Sequence, residues 1–450
     1  MKWKELLKKD DSKELWKAID WNGEIRETKN EETPSDEEFK LHFETLLNPA
    51  EQEPNTLRHP ANYDLYLPAT DDPIRPQELL EATKKLKPDK SSGPSGVPPG
   101  LLKLLPDTWI VYLAGLFTTI FFLACYPQSW CFSKLVVLFK KGSRKECTNY
   151  RGISLMDSLA KIYDAVIYRR LSLWFTPDRE QAGGQRKRGC TEHIVALRML
   201  IDYAKHTRKK MFIVYIDFSK AYDRVPRHLM LDCLTKLGCG SRMIRAIASM
   251  YQHTKMILKS AIVTASIGVR QGAPTSCLLF TMVVNNLIRN MKRKCEPDGY
   301  LEWLHTLMLM DDTVILATSK EKAIEKIKVL TEFCTDSGMK INEAKTKFMV
   351  INGAEAEKQP LKIESPNEET LQIDNCEKYT YLGCMFTQKG DILSAVKAQC
   401  NSKLPHIAKF EAFVRKNADA PYAVKEKVFT AALTAAIMYS CESWLSPAAA

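Results

Sequence analysis

The sequence predicts an α+β fold, and three stretches carry the prediction. MFIVYI (211–216) is an unbroken β-branched and aromatic run, the pattern of a strand buried on both faces. LHTLMLMDDTVILATS sets two apolar runs around an Asp pair and reads as a hairpin with that pair at its tip. From Asp157 onward, Leu159, Ile162, Tyr163, Val166, Ile167 and Leu171 recur at helical spacing on one face of a long helix.

The chain's 450 residues suffice for two or three units, at roughly 100–200 residues each. A hydrophobic content of 45% with 26% charged residues is ordinary for a soluble globular protein. The net charge of +11 is uneven: residues 10–72 hold 17 acidic against 6 basic side chains, and residues 73–450 carry +19. A basic body behind an acidic leader fits a phosphate-rich partner, since Lys and Arg displace the counterions condensed on nucleic acid. A basic surface kept for solubility fits the same numbers. The 13 cysteines stand singly, with no C-x-x-C pair and no Cys/His cluster at zinc spacing, as expected of reduced thiols in an intracellular chain. MKWKELLKKD lacks the apolar core of a signal peptide. Trp109 to Tyr126 is uncharged and mostly apolar, but Gly115, two threonines and Pro127 favour a buried helix, so no membrane partner is expected.

Residues 1–73 read as an acidic connecting region. It holds a short helix in KELLKKDDSKELWKAI and a second in SDEEFKLHFETLLN, where Ser35 and Glu38 form a capping box. The texture changes at Ile74. RPQELLEATKKLKPDKSSGPSGVPPGLLKLL gives a helix, a Gly/Pro/Ser loop at 91–100 and another helix. That loop lacks the G-K-[ST] ending and a preceding strand, which excludes a P-loop. SKLVVLFKKGSRKECTNYRGISL is a hairpin with a basic tip, suited to a triphosphate or a template strand, or simply solvated.

Asp217 ends the buried run 211–216, and a carboxylate leaving such a strand needs solvent, a charge partner or a metal. Asp223 follows, with Arg224 and Arg227 placed to neutralise part of the local charge. Asp311 and Asp312 repel one another unless cations compensate, although an Asp-Asp turn open to water satisfies the same pattern. Between these stretches lies VRQGAPTSCLLFTMVVNNLIRNMKRK, where Gly272 and Pro274 break the chain ahead of a helix. Gly272 would let the backbone approach a ligand closely, with Gln271 facing it. Together the three blocks form the set that two-metal phosphoryl transfer requires, with two ions about 3.5–4 Å apart held by carboxylates from separate strands. Asp217 and Asp311 are the ligand candidates, with Asp312 supporting. Magnesium suits oxygen donors, with manganese as an alternative ion.

The order of these blocks resembles the reverse transcriptase domain of LINE-type (non-LTR) retrotransposons. LKPDKSSGPSGVPPGLLK, KKGSRKECTNYRGISL and QAGGQRKRGCTEHI resemble its entry and fingers blocks. IDFSKAYDRV, GVRQGAPTSCLLF and LMLMDDTVIL resemble its palm blocks. GMKINEAKTKFMV resembles the last palm motif, YTYLGC the primer grip, and VFTAALTAAIMYSCESW the start of the thumb. The resemblance implies a right-hand polymerase fold. Fingers and palm, with an antiparallel palm sheet, would span 74–395 and a partial helical thumb 396–450. It further implies that Asp217, Asp311 and Asp312 bind the metals and that Tyr222 excludes a 2′-hydroxyl. Arg151 with Lys140 or Lys141 would hold the triphosphate, and Gln271 and Gly272 would line the nucleotide pocket. Lys345 would protonate the leaving pyrophosphate, while Tyr381, Leu382 and Gly383 would steady the primer end. The implied partners are an RNA template, a DNA or RNA primer and deoxynucleoside triphosphates, in the nucleus or cytoplasm.

The chain departs from the family pattern in places. Leu309 and Met310 stand where an aromatic and an alanine are usual before the Asp pair. Gly184, Gln185 and Lys187 replace the usual Phe, Arg or Gln, and Gly, and Ala273, Thr275 and Cys277 replace the commoner Cys, Leu and Pro. None of these removes a metal ligand. A catalytically silent nucleic-acid-binding remnant is the alternative reading.

Overall fold

The structure, a computed structural model, describes residues 33–49, 63–185, 187–259, 261–364 and 370–444. The helix expected in KELLKKDDSKELWKAI lies outside the described residues.

Helix α1 (Asp36–Leu47) starts at the expected capping box. Ser35 Oγ accepts from the Glu38 N–H at 3.2 Å, and Glu38 Oε2 accepts from the Ser35 N–H at 2.7 Å. The apolar run becomes helix α2 (Asp107–Leu123), which buries Ile110, Leu113, Phe117 and Phe121. Among the described residues no helix is long and apolar enough to cross a membrane. The basic hairpin is strands β1 (Phe132–Phe139) and β2 (Tyr150–Met156). Helix α3 (Ser158–Trp174) follows, its N-terminus capped by Asp157, whose carboxylate accepts from the Leu159 N–H at 3.2 Å. Helix α4 (Cys190–His206) leads into β3 (Met211–Ile216), and helices α5 (Arg227–Lys236) and α6 (Ser241–Gln252) lead into β4 (Thr254–Leu258) and β5 (Ala261–Ala265).

Strands β4 and β5 form a hairpin that sequence reasoning did not isolate. It extends β1–β2 into a four-stranded sheet of order β2-β1-β4-β5, with β1 and β4 parallel. Helix α1 lies on this sheet with Phe39, Phe43 and Leu47 buried among Leu135, Tyr150, Met256 and Val263. Gly152 permits the approach, since a Cβ there would stand 2.9 Å from the Phe43 ring. The acidic leader thus contributes a helix to the fingers layer.

Helix α7 (Ser276–Lys294), β6 (Thr306–Leu309), β7 (Asp312–Ala317), helix α8 (Lys320–Ser337) and β8 (Lys347–Ile351) complete the palm. With β9 (Leu361–Glu364) and β10 (Thr370–Asn375) the strands form a six-stranded sheet of order β6-β7-β3-β8-β10-β9. The four strands β6, β7, β3 and β8 are antiparallel, as expected, whereas β10 joins β8 in parallel. Strand β3 is buried throughout because its two faces serve two cores. Phe212, Val214 and Ile216 pack with Tyr163, Phe280 and Leu330 from α3, α7 and α8. Met211, Ile213 and Tyr215 pack with Ile194 and Leu197 of α4. Each such side chain contributes about 1.5–3 kcal/mol relative to exposure, so the strand's end is held firmly. The remaining hairpin, β11 (Lys378–Tyr381) and β12 (Cys384–Thr387), precedes helices α9 (Ile392–Ser402), α10 (Leu404–Lys416) and α11 (Tyr422–Val428).

Candidate active site

Sheet register brings the aspartates together. Ile216 pairs with Thr313, so the next position along β3 sets Asp217 beside Asp312 and the turn before it. Leu309 pairs with Asp312, leaving Met310 and Asp311 as a two-residue turn. Met310 takes a φ of 60°, which such turns usually give to glycine. Asp217 is held by its backbone: its N–H donates to Thr346 Oγ1 at 3.2 Å and its carbonyl accepts from the Asn342 N–H at 2.8 Å. Lys345, in the same turn, reaches Asp217 Oδ2 at 3.3 Å.

Asp217 and Asp311 face one cleft of about 480 Å³, and Lys140, Lys141 and Arg151 wall its fingers side. Tyr222, Gln271 and Lys345 line it as well. Burial pushes the Asp311 carboxyl above the usual range; Asp217 adds to this, while Arg151 and Lys140 oppose it. The Asp312 carboxyl keeps some exposure but loses part of its water to the groups around it. That loss of water, with the Asp311 and Asp217 charges, pushes it up to about 6. Burial pulls Lys140 down, and Arg151 and Lys345 pull the same way against Asp311 and Asp217.

Several expected roles meet a different geometry. Tyr222 stacks on Phe280 with ring centroids 4.3 Å apart and planes at 15°, so it is both a packing residue and a wall of the cleft. Gln271 lines the cleft, but its Nε2 donates to Asp223 Oδ1 at 2.6 Å. Gly272 has a φ of 121°, and the atom nearest an added Cβ would be the Ser154 carbonyl oxygen at 2.6 Å. Its close approach is therefore to β2 rather than to an open ligand space. Arg227 does not neutralise the aspartates. It is buried and donates to the carbonyls of Tyr251, Gly268 and Ile267 at 2.7, 3.2 and 3.2 Å.

The residues expected to steady the primer sit apart from the cleft. Tyr381 is buried at 3% exposure, and its hydroxyl donates to the Leu307 carbonyl at 3.5 Å. Leu382 and Gly383 form the β11–β12 turn, both with positive φ (49° and 79°), the signature of a type I′ hairpin. Its neighbour Tyr379 stacks on Tyr215 at 4.1 Å, and Asp217 and Asp312 raise the Tyr379 hydroxyl further after burial. Sequence reasoning passed over Tyr379, although its alternation with Tyr381 along the strand was visible.

The departures from the family pattern pack on one another. Met310 Sδ lies 3.6 Å from Cys277 Sγ and 3.4 Å from Thr281 Oγ1. A Cβ on Gly184 would stand 3.7 Å from Met310 Cε. The long side chain at 310 occupies room that the small residue at 184 leaves open.

A palm sheet with an antiparallel core that carries three aspartates at one end of its strands, beside a basic fingers hairpin, defines a template-directed polymerase architecture. The chain belongs to the reverse transcriptase (RNA-dependent DNA polymerase) family, which residues 139–386 match. It is similar to the retrovirus-related Pol polyprotein from type-1 retrotransposable element R2 of Bradysia coprophila. That match is 25% identical over 335 residues, covering 72% of this chain and 38% of that protein. It is also similar to the probable RNA-directed DNA polymerase from transposon BS of Drosophila melanogaster, at 26% over 358 residues, 74% of this chain and 38% of the relative. The RNA-directed DNA polymerase from mobile element jockey of Drosophila funebris is 26% identical over 280 residues, 60% of this chain and 30% of the relative. The chain thus spans under two fifths of the length of these relatives.

Proposed function

We propose that this chain is the polymerase part of a non-LTR retrotransposon protein, adding deoxynucleotides to a primer 3′-end on an RNA template by two-metal phosphoryl transfer. The observation that carries the reading is the placement of Asp217 and Asp311, from adjoining strands, in one cleft walled by Lys140, Lys141 and Arg151. The donor set fits divalent ions: all oxygen, mutually repelling, and with Asp311 and Asp312 pushed toward protonation where no cation offsets them. As the side chains lie, no three His, Cys, Asp or Glu among the described residues converge closely enough to hold an ion, and Lys345 stands against Asp217. Asp217 and Asp311, with Asp312, would be the ligands, and bound magnesium would make the 3′-hydroxyl easier to deprotonate and offset the negative charge on the leaving pyrophosphate.

The chain's own residues supply the rest. Arg151 and Lys140 hold the triphosphate by charge-assisted hydrogen bonds. Tyr222, fixed by its stack on Phe280, sets the floor under the sugar. Lys345, released from Asp217, holds a proton for the leaving oxygen. Template and primer lie along the basic body, and the reading carries a nuclear or cytoplasmic site of action. We assign fingers and palm to 74–395 and the helical segment that follows to the thumb, with α1 joined to the fingers.

The test is primer extension on poly(rA)/oligo(dT) with magnesium and dTTP, comparing the chain with Asp311→Ala. Extension lost only in the variant supports the reading. Equal extension by both sinks the metal site. Salt-sensitive binding of template–primer without extension by either supports the catalytically silent remnant instead.

A further inference from the structure

One wall of the cleft pairs a residue from outside the palm and fingers motifs with one from the IDFSKAYDRV palm block. His42, on α1, lines it together with Lys220, and the Lys220 Nζ stands 2.8 Å from His42 Nε2 across 178 residues of chain. A lysine ammonium only donates, so Nε2 is the acceptor and the imidazole is neutral with its proton on Nδ1. Burial and the Lys220 charge agree with that state, pulling the His42 pKa down to about 4.

The lysine is held against its own backbone preference. Lys220 has a φ of 49° in the left-handed region, where a side chain costs about 1–2 kcal/mol. Such conformations persist where the surroundings over-determine them, and they gather at functional sites. The surroundings are present here. The Lys220 carbonyl accepts from the Asp223 N–H at 2.9 Å, and Asp223 is in turn bound by Gln271. The helix carrying His42 is anchored at both ends: Asp36 pairs with Lys259 at 2.8 Å, and Asn48 bonds Thr264 and Ser266 at 2.9 and 3.0 Å. The ammonium is half-buried beside Asp223 and close to Lys140 and Arg224, so the cluster is short of negative charge. A triphosphate entering the cleft would supply it.

We propose that Lys220 is a further triphosphate-binding residue of the nucleotide cleft and that His42 is its positioning residue, accepting one ammonium hydrogen so that the others face the phosphates. The proposal rests on the polymerase reading for the identity of the nucleotide. It gives α1, a helix outside the palm and fingers motifs, an indirect part in nucleotide binding, exerted through Lys220.

The test uses the full chain with template–primer, measuring both equilibrium binding of a fluorescent dTTP analogue and the KM and kcat of extension. A hydrogen bond to a charged group is strong enough that losing it weakens nucleotide binding by about tenfold or more. His42→Phe is expected to raise Kd and KM for the nucleotide by about that factor, with kcat and template–primer affinity unchanged. His42→Gln, which keeps an acceptor, restores most of the affinity. Lys220→Met shows the same loss, and adding His42→Phe to it costs nothing more. An unchanged nucleotide Kd in His42→Phe overturns the proposal, as does a further loss in the Lys220→Met background. If the wild type binds the analogue in a Lys220-dependent way yet never extends a primer, the polymerase reading fails and the proposal stands. If it extends a primer and His42→Phe binds nucleotide normally, the proposal fails and the reading stands. Absence of both binding and extension in the wild type overturns both.

Discussion

Gln181 grips Met310 from both sides of its peptide. Its Oε1 accepts from the Met310 N–H at 2.9 Å, and its Nε2 donates to the Met310 carbonyl at 3.4 Å. The same Oε1 accepts from the Gly183 N–H at 2.8 Å, and Gln181 itself is fully buried. The turn that presents Asp311 is therefore braced by a residue from the loop ahead of α4. That brace offsets the positive φ of Met310.

Removing the brace leaves the Met310 backbone groups without their partner, at about 1–3 kcal/mol. Gln181→Ala is expected to lower the unfolding midpoint and to cut kcat of extension by about tenfold or more, because Asp311 loses its fixed position. Template–primer affinity should stay as it was. Denaturant titration with steady-state extension checks both halves, and a stable variant with wild-type kcat would exclude the bracing role.

Tyr222 gives the second expectation. Its ring is locked on Phe280, so it cannot yield to a larger sugar without breaking that stack. Tyr222→Val should let ribonucleotides in, raising the UTP-to-dTTP ratio of kcat/KM by about tenfold or more, the scale of a lost steric contact. Single-nucleotide extension on poly(rA) measures the ratio. If the ratio does not move, the ring serves packing alone.

How much of this was legible depended on the range of the interaction. The capping box at Ser35 and Glu38, the buried run 211–216 and the hairpin around the Asp pair are written within a few residues each. The structure bears them out, save that the hairpin tip falls on Met310 and Asp311 and Asp312 already opens β7. The metal candidates followed, because strand ends and a short hairpin leave little choice of place. What escaped the sequence joins distant segments. His42 meets Lys220, Gln181 meets Met310 and Tyr439 meets Leu382, and no local pattern marks such pairs. Gly272 misled for a related reason: a glycine's need for close approach does not say to what, and here the neighbour is strand β2. Arg227 looked like a counter-ion because it is near Asp223 in sequence, yet α5 turns it into the protein to bind carbonyls.

Two buried histidines add to a pH dependence of stability. His193 and His305 are 2% and 1% exposed, and their ring nitrogens have no hydrogen-bond partner among the described residues. Burial pulls each from 6.5 down to about 4. The unfolded chain then takes up protons first, so stability present above about pH 6.5 is lost as pH falls toward 4, at up to about 1.4 kcal/mol per pH unit for each ring. Urea midpoints at pH 7.5 and 5.5 should differ less in His193→Leu/His305→Leu than in the wild type. An unchanged difference would mean that other groups set the acid limit.

Tyr439 ties the expected primer grip to the segment after α11, the expected start of the thumb. Its hydroxyl donates to the Leu382 carbonyl at 2.9 Å and lies 3.2 Å from Cys190 Sγ, while Gln399 Nε2 donates to the Tyr439 carbonyl at 3.1 Å. The ring also fills the space above Gly383, where an added Cβ would meet Cε1 at 2.9 Å. The β11–β12 turn is thus held by the segment after α11, whose Tyr439 also rests on Cys190 of α4. A neutral hydrogen bond of this kind is worth about 0.5–1.5 kcal/mol, so Tyr439→Phe should speed primer dissociation by roughly two- to tenfold. Gly383→Ala, which also strikes the ring and strains a positive φ, should do more. Nucleotide KM should hold steady in both, because the turn lies outside the nucleotide cleft. Single-turnover extension with a trap for free enzyme separates these effects, and a variant whose nucleotide KM rose while primer dissociation did not would place Tyr439 in the wrong half of the machine.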